Sequence, residues 1–208
     1  MILLLSVLAC QKSVVPPFPA GLEPLADCSA GLPGADGQTP EEARSVSGEG
    51  EEHLYAHVCG YVHAPVETVW EAIQDPDVVS DRRRIAEYAL VESDIDPDYD
   101  VSFLLHYLVE DIITVEYDVE WRQGVWEADD EDRLSVAARF QKVEGSSLIE
   151  LIEGSVVLAE AEAEVTRFEL ISHHKSIGYT ADELELKATD LYDSVVAFSH
   201  GEPLPTYE

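Results

Sequence analysis

Three groups of residues in this chain carry side chains capable of chemistry, and each has a plainer reading beside the chemical one. His53, His57 and His63 share one side of a segment, residues 53–63, in which polar and apolar positions alternate. Histidine is the commonest metal ligand. A strand rises about 3.3 Å per residue, however, so intervals of four and six residues hold these rings about 13 and 20 Å apart. One ion cannot bridge that span, and a solvated or chain-covered strand face accounts for them better. Tyr107, Tyr117 and Glu150 occupy positions whose parity points inward. A carboxylate held among apolar groups has a raised pKa and can act as an acid, unless a strand irregularity near Gly154 turns Glu150 outward. Arg82, Arg83 and Arg84 form the one basic cluster. They suit an anion, but the C-terminal end of a helix and pairing with neighbouring acids account for them better.

Other arrangements are absent from the sequence. Five acids fall within residues 127–132, without the ordered spacing and turn glycine of an EF-hand loop. No Ser/His/Asp or Cys/His pattern supports nucleophilic catalysis. No catalytic residue, metal ligand or cofactor is therefore assigned. The 208 residues carry 12 Lys plus Arg against 43 Asp plus Glu, a formal net charge of −31. Such a field repels nucleic acid and anionic surfaces, so nucleic acid is not an expected partner. Hydrophobic residues make up 46% of the chain, enough for a packed core.

The elements that must position these residues follow from periodicity. In residues 53–63, Leu54, Ala56, Val58, Gly60 and Val62 form an apolar face of period two, the mark of a half-buried strand. Pro65 suits the first turn of a helix, and Val66, Val69, Trp70 and Ile73 supply its apolar stripe. Asp75 caps a second short helix that starts at Pro76. Strands are then expected at about 85–93, 101–109, 113–121, 134–140, 148–158 and 165–172, joined by short polar turns, so an antiparallel meander results. A final helix over 179–199 begins with the capping box Thr180-Ala-Asp-Glu183 and ends at Gly201. Leu184, Ala188, Leu191, Tyr192, Val195 and Phe198 form its inner face.

This order of elements resembles the helix-grip fold of the START and polyketide-cyclase (SRPBCC) superfamily. The segment Val62-His-Ala-Pro-Val-Glu-Thr-Val-Trp-Glu-Ala-Ile-Gln-Asp-Pro76 is similar to the superfamily's first-strand and first-helix signature. Gly154-Ser-Val-Val-Leu158 with Thr166-Arg-Phe168 is similar to its paired late strands. The resemblance implies an α+β fold: a curved antiparallel sheet of about six to seven strands around a long C-terminal helix, with two short helices after the first strand. It also implies an apolar cavity between sheet and helix. Tyr117, Val119, Trp121, Phe140, Leu158 and Phe168 from the sheet are expected to line it, opposite Leu191 and Val195. The expected role is non-catalytic binding of a hydrophobic small molecule, lipid-like in character, by a monomer. A cyclase- or hydrolase-like enzyme using a buried polar residue is the alternative, and a structural or interaction domain with a filled core is another.

The first ten residues, Met1-Ile-Leu-Leu-Leu-Ser-Val-Leu-Ala-Cys10, are too short to span a bilayer and resemble the leader and lipobox of a bacterial lipoprotein. No Lys or Arg precedes the apolar run, which departs from the pattern. The resemblance implies export, acylation of Cys10 and anchoring in the cell envelope. Gln11 favours the outer membrane. Residues 11–52 are rich in Pro and Gly and read as a flexible tether. The folded domain is then expected over 53–200, with a tail at 201–208. Cys28 and Cys59 remain as either a disulfide between tether and domain or two free thiols.

Overall fold

The computed structural model describes residues 17–34, 37–110, 114–126 and 134–207. The leader and Cys10, Ile113 of the strand expected at 113–121, and the acidic turn at 127–132 lie outside the described residues. Eight strands form a single antiparallel sheet: β1 (Ala43–Glu49), β2 (Leu54–Val62), β3 (Glu87–Ser93), β4 (Val101–Val109), β5 (Val115–Val125), β6 (Ser135–Gly145), β7 (Ile149–Glu162) and β8 (Val165–Ser176). Their order in space is β1-β2-β8-β7-β6-β5-β4-β3. Helices α1 (Val66–Ala72) and α2 (Pro76–Val79) follow β2, and α3 (Ala181–Ser199) closes the chain.

The capping chemistry works as read. The Asp75 carboxylate accepts the Asp77 N–H at 2.8 Å, and Thr180 and Glu183 satisfy each other's backbone N–H groups at the start of α3. The indole of Trp70 on α1 donates to Gln123 at 2.8 Å, and Gln123, fully buried, donates on to the Ile73 carbonyl at 3.0 Å. This chain of bonds ties α1 to β5 and leaves the buried amide satisfied.

Three sequence expectations need correction. The tether does not extend to residue 52. Ala43–Glu49 is an edge strand paired with β2 from Ala43↔Gly60 to Glu49↔Leu54, which raises the strand count to eight. Ser45 and Ser47 of β1 both bond the Glu185 carboxylate on α3, at 2.5 and 2.6 Å, so helix contacts fix a strand that has little apolar patterning of its own.

The second correction concerns residues 17–34, which have no regular structure yet lie across the outer face of the sheet. The Leu25 N–H donates to Ser155 on β7 at 3.0 Å, Arg139 on β6 donates to the Glu23 carbonyl at 2.7 Å, and Ser29 bonds the His57 ring on β2 at 2.8 Å. Cys28 is joined to Cys59 by a disulfide with a Cα–Cα distance of 6.3 Å. Covered by this strap, His57 and Cys59 are buried. The strap also explains why Ser135–Gly145 is buried almost continuously along its length rather than alternating.

The third correction is the tail. Residues 201–207 fold back over the α2–β3 connection. The Tyr207 hydroxyl donates to the Asp190 carbonyl at 3.1 Å, and the ring lies 4.1 Å from the Arg83 guanidinium.

Candidate functional site

Helix α3 is seated to one side of the sheet. It packs against β1, β2 and β8, with α1 and α2 against it. Over these strands the core is closed. Phe168 meets the Tyr192 ring edge-on at 5.7 Å, and Tyr192 donates to the Tyr61 carbonyl at 2.6 Å. Leu158, Phe168 and Val195 have no exposed surface and belong to this packing. They were expected to line a cavity and they do not. Their parity toward the core is right, but α3 sits directly on Phe168, and α1 packs against β7, the strand that carries Leu158.

Space remains over β4 to β7 where α3 is not seated, although α1 packs against part of β6 and β7. A row of side chains crosses these strands in register, Phe103↔Trp121↔Phe140↔Gly154. The rings stack, with Phe103 and Trp121 5.9 Å apart and Trp121 and Phe140 4.5 Å apart. Between this row and α3 lies a small deep cavity of about 50 Å³. Tyr117, Val119, Trp121, Phe140 and Leu191 all border it, so five of the eight expected lining residues are brought together. Its volume holds a few waters at most.

Below it, at the open end of the grip, a second chamber of about 340 Å³ is lined by Ile85, Val109, Val115, Tyr117, Ile149 and Tyr179. Asp81, Ile85, Tyr117 and Lys187 border both spaces and separate them. Tyr117 can come this close because the facing β6 residue is Gly145, with φ +110°; a Cβ there would lie 2.4 Å from the Tyr117 Cα. The rim exposes Ile177 at 81% and Leu148 at 36%.

The polar groups of the chamber are few. Burial raises the Tyr117 phenol well above its ordinary pKa, and its hydroxyl makes no hydrogen bond among the described residues. Burial likewise raises Tyr179. His174 is stacked on Tyr179 at 4.0 Å, and its Nε2 bonds Ser176 at 2.7 Å while Nδ1 is buried without a partner. Burial lowers the His174 pKa to about 3, with Lys187 and Arg84 adding repulsion, so the ring is neutral. Lys187 makes no hydrogen bond or ion pair among the described residues. Burial holds its ammonium below the usual lysine range; Asp81 opposes that shift and Arg84 adds to it.

The arginine cluster takes the plainer of its two readings. Arg83 pairs with Asp190 in a two-point contact and Arg84 pairs with Glu183, both acids on α3. Helix α2 ends at Val79, so these arginines follow it in the connecting turn rather than capping it. Arg82 donates to Ser194 at 2.9 Å.

Glu150 is not in the site. It is exposed and pairs with Lys175 at 2.6 Å. A register shift between Ile149 and Leu151 against β8 inverts the parity, so that Ile149 and Ile152 both face inward and Glu150 faces solvent. Lys187 is the residue that sequence reading missed. It stands three residues after Leu184 and four before Leu191, within the inward stripe of α3, and that spacing was the available signal.

No family model matches this chain, and no curated protein matches it at a significant level. Solved structures do match. The lipid transfer and protein localization domain of human StarD13 (DLC2) is 11% identical, with a TM-score of 0.52 over 79% of this chain and 85% of that one. The fold is the START-like helix grip. Two further structures match at lower TM-scores. A START superfamily protein from Mycobacterium smegmatis is 12% identical, with a TM-score of 0.42 over 71% of this chain and 94% of that one. The Zhui aromatase/cyclase from Streptomyces sp. R1128 is 12% identical, with a TM-score of 0.40 over 77% and 93% of the two chains.

Proposed function

We propose that this START-like domain binds an apolar, lipid-like small molecule in the chamber at the open end of the grip, without doing chemistry on it. The observation that carries this reading is the chamber itself. Its volume of about 340 Å³ falls within the range of small-molecule sites, about 300–1,000 Å³, and its wall is largely apolar and aromatic with few polar groups. The exposed Ile177 and Leu148 on its rim would lengthen the apolar path for a molecule larger than the chamber. The lipid transfer domain of StarD13, built on the same fold, supports the choice of ligand class. The absence of chemistry is argued from the site's groups. Tyr117 and Tyr179 are held as neutral phenols, His174 is held neutral, and Glu150 is outside.

The test is native mass spectrometry of protein extracted from its own cells, together with calorimetric titration of 1-dodecanol. A co-purifying apolar molecule or saturable heat is expected. Neither signal would refute binding and leave a filled-core structural domain. We further propose that the domain is held at the cell envelope, with the outer membrane favoured, by acylation of Cys10, more than one chain being needed for stable anchoring. Metabolic labelling with a radioactive fatty acid is expected to mark the wild type and not Cys10→Ser; unlabelled wild type refutes the anchor.

A further inference from the structure

Lys187 lies where the two spaces meet. It borders the deep cavity, the open chamber and a third recess of about 270 Å³ formed with Arg83, Arg84 and Glu183. Four cations face these three spaces, Arg82, Arg83, Arg84 and Lys187, against three carboxylates, Asp81, Glu183 and Asp190. In a chain with 12 Lys plus Arg and 43 Asp plus Glu, that balance reverses the general surface. The three arginines are engaged. Arg83 holds Asp190, Arg84 holds Glu183, and Arg82 bonds Ser194. Asp81 accepts the Arg83 backbone N–H at 3.1 Å. Lys187 alone of these four cations makes no hydrogen bond or ion pair among the described residues, and it is half-buried and borders the same two spaces as Tyr117. A partly desolvated ammonium that makes no ion pair is costly even with Asp81 bordering the same spaces, and an incoming anion relieves that cost.

We infer that Lys187 receives the anionic end, a carboxylate or a phosphate, of an amphiphilic ligand whose apolar chain occupies the open chamber. This rests on the chamber being the binding site. The lining suits such a ligand: Val109, Val115 and Ile149 give the chamber an apolar wall, and Lys187 and Tyr117 both border the chamber and the deeper cavity, one an ammonium and the other a phenol able to donate. A neutral chain of the same length would bury its own hydroxyl against an ammonium without neutralising it. Asp81, which borders the same spaces, sets the preference for one negative charge over two.

The experiment is isothermal titration calorimetry on the full chain with three ligands of one chain length, dodecanoate, dodecyl phosphate and 1-dodecanol, and with acetate and inorganic phosphate alone. Wild type is expected to bind dodecanoate at least about tenfold more tightly than 1-dodecanol, as one charge-assisted hydrogen bond allows. Lys187→Met, which keeps the apolar stem, is expected to bring the anions to the level of the alcohol. Lys187→Arg is expected to keep the anion preference. An alcohol that binds as tightly as the anions, or a preference that survives Lys187→Met, overturns the inference and leaves apolar binding standing. Binding of none of the three chains removes both. Binding of acetate or inorganic phosphate alone, matching the amphiphiles, overturns it in favour of a free-anion site.

Discussion

The row of side chains Phe103, Trp121, Phe140 and Gly154 makes one residue unusually sensitive. Gly154 faces Phe140 across β6 and β7, and the Phe140 ring lies over the place where a side chain would stand. A Cβ built on Gly154 would be 1.9 Å from Phe140 Cζ and 2.6 Å from the Ile171 carbonyl oxygen. The second contact is with sheet backbone and cannot give way. The first can be relieved only by turning Phe140 off Trp121, on which it is stacked at 4.5 Å, and toward a cavity of about 50 Å³. Overpacking of this kind costs about 1–3 kcal/mol. For a domain of this size each kcal/mol lowers Tm by about 2–4 °C, so Gly154→Ala should melt about 2–12 °C below wild type.

The assay is thermal unfolding by far-ultraviolet circular dichroism, with the near-ultraviolet spectrum read at 25 °C for the environment of Trp121. A double variant, Gly154→Ala with Phe140→Leu, separates the two clashes. Because the pair is in contact, its cost should be less than the sum of the single costs. An unchanged Tm in Gly154→Ala, or strict additivity in the double variant, would refute the reasoning that Phe140 occupies the glycine's side-chain space.

Two further outcomes follow from the strap and from the chamber. Cys28→Ser opens a loop of 31-residue separation, and the chain-entropy relation gives about 3.7 kcal/mol for constraining such a loop in the unfolded chain. Urea unfolding of Cys28→Ser and of reduced wild type should agree; a reduced wild type as stable as the oxidised form would refute a structural role for the bond. His174 has a folded-state pKa of about 3, below the ordinary value of 6.5. The unfolded chain therefore binds the extra proton between these values. The contribution is complete above pH 6.5 and lost as pH falls toward 3, amounting to about 5 kcal/mol. His174→Gln should flatten the stability profile in that window relative to wild type, and an identical slope in both would show that other groups carry it.

The sequence was informative wherever a period or a cap determines structure locally. The strand–Pro65–Trp70 corner, the Asp75 cap and the Thr180 capping box need only neighbours in the chain, and each formed as read. Long-range geometry was illegible. Strand β1 pairs Ala43 with Gly60 and anchors to Glu185, and the strap bonds Ser155 and Arg139, partners more than a hundred residues away. Proline and glycine density correctly excluded helix in the strap, but said nothing about whether it would lie on a surface. Glu150 failed for a different reason. Alternation counts positions, and a single bulge between Ile149 and Leu151 reverses every inference drawn across it.

The site shows the same limit in another form. Parity placed Tyr117, Val119, Trp121, Phe140, Leu158 and Phe168 on one face of the sheet, and all six are buried. Facing inward and facing a ligand are different properties. Which of them holds depends on where α3 is seated, and that seat is set by β1 and β2 through bonds such as Ser45 to Glu185 and Tyr192 to the Tyr61 carbonyl. Because the helix is held against that edge, Phe168 meets it directly, whereas the aromatic row on β4 to β6 stands clear of it. The space is then closed from above by Tyr207 and from below by Tyr117, so the deep part is small and the open chamber is where a molecule can enter. The placement of Lys187 follows from the same seat. A lysine in an apolar helical stripe is costly where the helix meets the sheet, and it is tolerable one turn before Leu191, where the stripe runs out over the chamber.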